Sequence, residues 1–142
     1  MREILFKAKR ICDGKWVEGY YLRDQYHRSG KDIIFYRKDS DRFTVYTDII
    51  DIETLCQFTG ICDKNGNKIW ENDIVNRNGE YAPVKFGMYC SSFDYGNYNF
   101  GFYVDFPEET FYRKELGYWC RKVETAGNVF DDPELLQEES DE

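Results

Sequence analysis

Residues 57–75, Gln57-Phe-Thr-Gly-Ile-Cys-Asp-Lys-Asn-Gly-Asn-Lys-Ile-Trp-Glu-Asn-Asp-Ile-Val75, constrain the fold of this chain more than any other stretch. Asp63-Lys-Asn-Gly66 supplies turn residues between two apolar runs, so the chain must reverse there. Glu71-Asn-Asp73 makes a second polar turn, and Asn78-Gly79 is a strong hairpin signal leading into residues 80–89. Three turns within about twenty-five residues require a compact, strongly bent sheet. The acids of this stretch are read as turn residues: an Asp at a turn accepts backbone N–H bonds, and an Asp before a strand stabilises the bend. The turn motif is therefore Asp63, Asn65, Gly66, Asn72 and Asp73.

The rest of the chain follows the same β logic. Aromatic residues make up 18% of it and there are only 3 Pro, a balance that favours half-buried pleated strands over helices. Ile4, Phe6 and Ala8 alternate with charged residues, the period-two pattern of a strand. Asp13-Gly14 turns that strand into residues 15–22, and residues 32–37 and 42–47 make a second hairpin. Residues 49–56 fit neither period cleanly and are taken as extended. Pro83 predicts an edge position or a bulge. Residues 90–100 read as an exposed loop, 101–106 as strand, Pro107-Glu-Glu-Thr110 as a helix start, and 118–125 and 128–130 as closing strands. Asp132-Pro-Glu-Leu-Leu136 opens a capped helical turn at the C-terminal end.

The net charge of −8 is localised. Residues 131–142 hold seven acids and no base, residues 1–46 hold 11 bases against 7 acids, and residues 47–130 hold 8 against 13. Such an asymmetry suits self-association or a modest basic face, although dispersed charges of this size are more often plain solvation. The five cysteines form no C-x-x-C pair, and no signal-peptide pattern or long apolar run occurs, which places the chain in a reducing cytoplasm away from membranes. Most of the thiols are expected to act as small buried hydrophobes.

No constellation of catalytic or metal-ligating residues emerges. The single histidine, His27, sits in a polar loop, no nucleophile elbow surrounds Ser91 and Ser92, and Cys56 and Cys62 lack the partners of a tetrahedral zinc site. Asp63, Glu71 and Asp73 do not have calcium-loop spacing. The expected catalytic residues, metal ligands and cofactors are accordingly none. Two surfaces remain. Tyr89, Phe93, Tyr95, Tyr98, Phe100 and Tyr103 combine rigid aromatic area with Asn, Ser and Gly, which suits either a recognition surface or burial against a neighbouring strand or subunit. Lys7, Lys9, Arg10, Arg23 and Arg28 form a candidate basic face. Base stacking by the aromatic segment is opposed by the absence of any basic residue in 89–110.

Three segments resemble the YopX family of phage and prophage proteins. Arg2-Glu-Ile-Leu-Phe-Lys-Ala8 is similar to the family's opening strand. Gln57-Phe-Thr-Gly60, Asp63-Lys-Asn-Gly66 and Ile69-Trp-Glu-Asn-Asp-Ile-Val75 are similar to its central signature, and Gly127-Asn-Val-Phe-Asp-Asp-Pro-Glu-Leu-Leu136 to its closing segment. Glu71-Asn72-Asp73 departs from the usual Glu-Gly-Asp, and Asn is the residue besides Gly that best tolerates a left-handed backbone.

The resemblance implies a mainly β fold: a small SH3-like, partly open barrel with an N-terminal β-hairpin region and a short C-terminal helical turn. It divides the chain into an antiparallel region at 1–47, a barrel core at 48–136 and a disordered acidic tail at 137–142. It transfers no catalytic residues. The function it implies is that of an uncharacterised phage protein in the bacterial host cytoplasm: a non-enzymatic, homo-oligomeric protein-interaction module. The alternatives are a nucleic-acid-associated module using the basic N-terminal region and, with least support, an enzyme without a recognisable motif.

Overall fold

The computed structural model describes residues 2–24, 31–90, 96–106 and 113–137. The chain is mainly β, its sheets are antiparallel, and they do not close into a barrel. It divides into two compact units, Met1–Phe58 and Thr59–Glu142.

In the first unit, β1 (Phe6–Lys9), β2 (Trp16–Asp24), β3 (Lys31–Lys38), β4 (Asp41–Ile49) and the start of β5 (Cys56–Cys62) lie in the order β4-β3-β2-β1-β5. Side chains alternate across a strand, so one face of this sheet collects Ala8, Val17, Ile34 and Ile50 as a buried core, with Phe6, Tyr21, Tyr36 and Leu55 packed against it. Gly19 on the same face permits close strand packing, because a Cβ there would stand 2.4 Å from the Phe35 carbonyl oxygen. The sheet curls until Arg10 bridges Ile50, with Ile11 N donating to Ile49 O at 3.0 Å and Asp51 N to Lys9 O at 2.9 Å.

Residues 49–56, expected to be extended, instead contain a 3-10 turn at Ile52–Thr54. Asp51 makes it, accepting from Glu53 N at 3.1 Å while Thr54 Oγ1 donates to Asp51 O at 2.7 Å. A local side-chain cap of this kind leaves no periodic trace, which is why alternation alone misread the segment.

The second unit holds the end of β5, β6 (Lys68–Trp70), β7 (Asp73–Arg77), β8 (Glu80–Tyr89), β9 (Asn99–Val104), α1 (Leu116–Trp119) and β10 (Glu124–Asn128). Four strands form a sheet in the order β10-β7-β8-β9. Asn78 and Gly79, at φ 51° and 91°, join β7 to β8 in the left-handed geometry that a tight hairpin needs. Within β8, Pro83 pairs with β7 alone, so its other side is locally an edge. It sits where pairing passes from β7, which ends at Ile74↔Pro83, to β9, which begins at Val84↔Val104, and its missing N–H falls at that changeover.

Val75, Ala82, Val84, Val104, Leu116, Trp119 and Val123 belong to the core of this unit. Trp119 lies edge-on to Phe106 at 5.0 Å and donates from Nε1 to Arg113 O at 2.7 Å. Residues 118–123 therefore form a helical turn and its exit rather than the expected strand, since burying Trp119 and Leu116 together requires helical spacing. The closing strand begins at Glu124 and ends at Asn128, not at residue 130. After it, Pro133–Leu136 form a 3-10 turn without a side-chain cap, because Asp132 Oδ2 accepts instead from Asn128 N at 3.2 Å.

Turn chemistry holds this unit together. Asp63 is buried, its Oδ1 accepting from Asn65 N and Asn67 N at 2.9 Å and its Oδ2 from Thr125 N at 2.9 Å and Thr125 Oγ1 at 3.1 Å. Gly66, at φ 82°, donates to Asp63 O at 3.0 Å. Asp73 accepts from Trp70 N at 2.9 Å, and Asn72 adopts φ 69° while its backbone meets Val84 O at 2.8 Å and Val129 N at 2.9 Å.

Two stability predictions follow from these contacts. Burial of Asp63 disfavours its charged form, but the bonds from Thr125, Asn67 and Asn65 outweigh that and hold its carboxyl below the usual 3.8. Its contribution is thus complete above the unfolded pKa and lost as pH falls below 3.8 through the folded value. Urea titrations should show Asp63→Asn destabilised by about 2–3 kcal/mol at pH 7 and less so at pH 3. At Asn72, Gly should be tolerated, whereas Val should cost about 1–2 kcal/mol for the left-handed backbone, read as a shift in urea midpoint.

Candidate functional site

Hairpin β8–β9 carries most of the described aromatic candidates, and β9 takes in residues 99 and 100 at the end of the expected loop, of which residues 91–95 lie outside the described residues. Tyr89 is the last residue of β8, Phe100 and Tyr103 belong to β9, and Tyr98 is exposed just before it. Phe93 and Tyr95 lie outside the described residues. Cross-strand register separates the candidates onto two faces. Tyr89 and Tyr103 stack at 5.0 Å on one side, and burial and Glu115 both push the Tyr89 phenol above its ordinary pKa. Phe100 lies on the other side with Phe86, Met88 and Phe102.

That second face is the continuation of the core. Val84 and Val104 are fully packed and Phe102 leans on them, but exposure then climbs to 49% at Phe86, 64% at Met88 and 71% at Phe100. Phe86 stays in ring contact with Phe100 at 5.0 Å and Phe102 at 4.8 Å. An ordered apolar strip therefore runs off the core into solvent. Neither Phe86 nor Met88 was among the sequence candidates; their alternation with Val84 was the available signal.

The basic candidates are divided between the two sides of the first unit's sheet. Arg10 pairs with Asp13, with Nε to Oδ1 at 3.0 Å, and reaches Asp48 at 3.6 Å. This pairing holds the Asp13 carboxyl down at about 2, the Arg10 bond being the largest cause and the Lys15 amide the next. Arg23 lies 3.5 Å from Asp32. Tyr36 and Tyr21 donate to the same two acids, at 2.9 and 2.5 Å, which raises both phenols. Lys7 and Lys9 are on the opposite side, standing 4.8 and 5.5 Å over the Trp16 ring. Arg28 lies outside the described residues, as does His27.

The side bearing Lys7 and Lys9 is itself apolar further along. Register places Tyr20, Leu22, Ile33, Phe35 and Ile49 together there, with Tyr20 and Phe35 5.5 Å apart. Sequence reasoning followed one face of each strand and missed this one, although β2 and β4 carry large apolar residues in both registers. An open cavity of about 290 Å³ adjoins it, lined by isoleucines 11, 49, 50 and 52 with Lys31, Asp32 and Asp51. It holds neither a histidine nor a nucleophile among the described residues. Asp63 uses both carboxylate oxygens on protein donors, and among the described residues no cluster of His, Cys, Asp and Glu has metal-binding geometry.

The thiols are more exposed than the sequence suggested. Cys56 and Cys120 are buried, donating to Thr54 O at 3.2 Å and Gly117 O at 3.4 Å, whereas Cys12 and Cys62 are exposed and Cys90 is intermediate. A thiol reagent should label Cys12 and Cys62 in the folded protein and reach Cys56 and Cys120 only in denaturant, as peptide mass mapping would show.

No helix of the described residues is long and apolar enough to cross a membrane. No curated protein matches the chain. Among solved structures it is similar to protein EF1440 from Enterococcus faecalis, with a TM-score of 0.54 and 19% identity over 96% of this chain and 100% of that one. At that identity the likeness speaks for the fold. The family model described as YopX protein matches residues 5–137, which takes in the opening strand, the turn motif and the closing segment. The chain belongs to the YopX protein family.

Proposed function

We propose that this chain is a non-enzymatic protein-interaction module of phage or prophage origin that works as a homo-oligomer in the bacterial cytoplasm. The observation that supports it best is the apolar strip of Phe86, Met88 and Phe100 on hairpin β8–β9, held in register and left in solvent. Exposed Phe and Met in contact with one another, continuous with a packed core, are the kind of surface that a protein partner covers. Burying about 100 Å² on each of these side chains would contribute roughly 7 kcal/mol. That is comparable to the cost of association, about 4–15 kcal/mol, so the strip suits a contact completed by a second surface.

A nucleic-acid reading rests on Lys7 and Lys9 astride Trp16 on a face that also carries Tyr20 and Phe35. It is the weaker of the two, because Arg10 and Arg23 are paired with acids and have less charge to offer a phosphate.

Light scattering over a micromolar dilution series should return a multiple of 17.0 kDa, and affinity capture from phage-infected cells should enrich a partner that Phe86→Ser/Phe100→Ser loses. A mass of 17.0 kDa throughout, together with equal capture by the variant, would sink the reading. A low-salt mobility shift abolished by Lys7→Glu/Lys9→Glu would favour nucleic acid instead.

A further inference from the structure

The second unit, Thr59–Glu142, carries 8 bases against 17 acids, and both are unevenly placed. Four of the bases, Arg113, Lys114, Arg121 and Lys122, flank α1, and a fifth, Arg77, reaches the same place from β7. The Arg77 guanidinium stands 5.2 Å over the Trp119 ring. Trp119 meets Tyr118 edge-on at 5.0 Å, and Tyr118 in turn has Lys122 at 4.4 Å and Arg113 at 5.4 Å from its own ring. Two adjacent rings therefore hold three cations, and rings that fix cations reduce the side-chain entropy lost when an anion meets them.

Part of this charge is already answered. Glu115 lies 2.9 Å from Arg113 and Asp105 3.4 Å from Lys114. Among the described residues no acid is within ion-pair distance of Arg121 or Lys122, and both are exposed. The acids of the unit gather elsewhere: residues 131–142 hold seven, of which Glu138, Glu139, Asp141 and Glu142 stand in the last five positions. Strand β10 runs out at Asn128↔Asp73, and Val129 N on Asn72 O at 2.9 Å keeps the exit there, whereas Arg77 closes the opposite end of β7.

We propose that the acidic segment 138–142 of one copy docks along α1 of a second copy, its carboxylates on Arg77, Arg121 and Lys122. Docking of this kind rests on the homo-oligomeric reading above, and it supplies the second surface that the β8–β9 strip needs. A segment and a surface that start from opposite ends of one strand suit contact between copies turned end to end. Five extended residues cover about 17 Å, the scale of the path from Arg77 across the two rings to Lys122. Nucleic acid fits the same bases less well, because the seven acids of residues 131–142 on the same unit repel it, whereas in the dimer those acids are themselves the ligand.

The test uses full-length chains. Arg121→Glu/Lys122→Glu reverses the exposed part of the basic surface, and Glu138→Lys/Glu139→Lys/Asp141→Lys reverses the segment; both variants should keep the wild-type circular dichroism. Each alone should raise the dissociation constant for self-association about tenfold or more in analytical ultracentrifugation. An equimolar mixture of the two should recover wild-type association, since each then offers the other an opposite charge at both contacts. Wild-type association should also weaken between about 0.1 M and 1 M salt, where the Debye length falls from about 10 to about 3 Å. Weakened variants whose mixture does not recover would overturn docking between copies. Unchanged association of both variants would overturn it too and leave homo-oligomerisation standing, while a wild-type mass of 17.0 kDa at every concentration would remove both. A labelled single-stranded oligonucleotide shifted by the wild type and not by Arg121→Glu/Lys122→Glu would assign the surface to nucleic acid instead.

Discussion

The Asp63 carboxylate is the contact on which the second unit depends. One oxygen closes the turn at residues 63–67 and the other captures Thr125, sixty-two positions later, at the head of β10. A single buried charge therefore couples the most local element of the unit, a tight turn, to its least local pairing, β10 on β7. Leaving such a charge without its donors is far costlier than any one of these bonds is worth, so the turn and the strand order together. The same logic recurs in miniature at Asp73 with Trp70 N, and at Asp51 in the 3-10 turn. Acids that could have been chemistry are occupied by architecture.

What the architecture leaves open is apolar. An antiparallel sheet usually offers one greasy face to a core and one polar face to water. Here β2 and β3 are apolar on both, with Val17 and Ile34 inward and Tyr20 and Phe35 outward. Hairpin β8–β9 outruns its own core in the same way. Two of the basic candidates are answered by local acids, Arg10 by Asp13 and Arg23 by Asp32.

Much of the fold was legible because turn chemistry is local. Asn78-Gly79 announced the β7–β8 hairpin, Asn72 took the left-handed backbone expected where it replaces the family's usual Gly, and the two N-terminal hairpins appeared where alternation and turn residues placed them. The misread segments share one cause. Residues 49–56 and 118–123 are short helical turns imposed by a side-chain cap or by the burial of Trp119, and neither leaves a repeating pattern long enough to read. The candidate surfaces were half legible: Phe100 and Tyr98 were found by composition, while Phe86 and Met88 were passed over because an alternating strand looks the same whether or not a core exists to cover it.

By itself the sequence determined where the chain turns, that it is β, and to which family it belongs, since each of these rests on residues close in the chain or on fixed motifs. Only the tertiary structure decided which side of each strand is buried and which basic residues are neutralised. Those outcomes depend on register between distant strands, and a shift of one residue would exchange the faces without altering a single local preference.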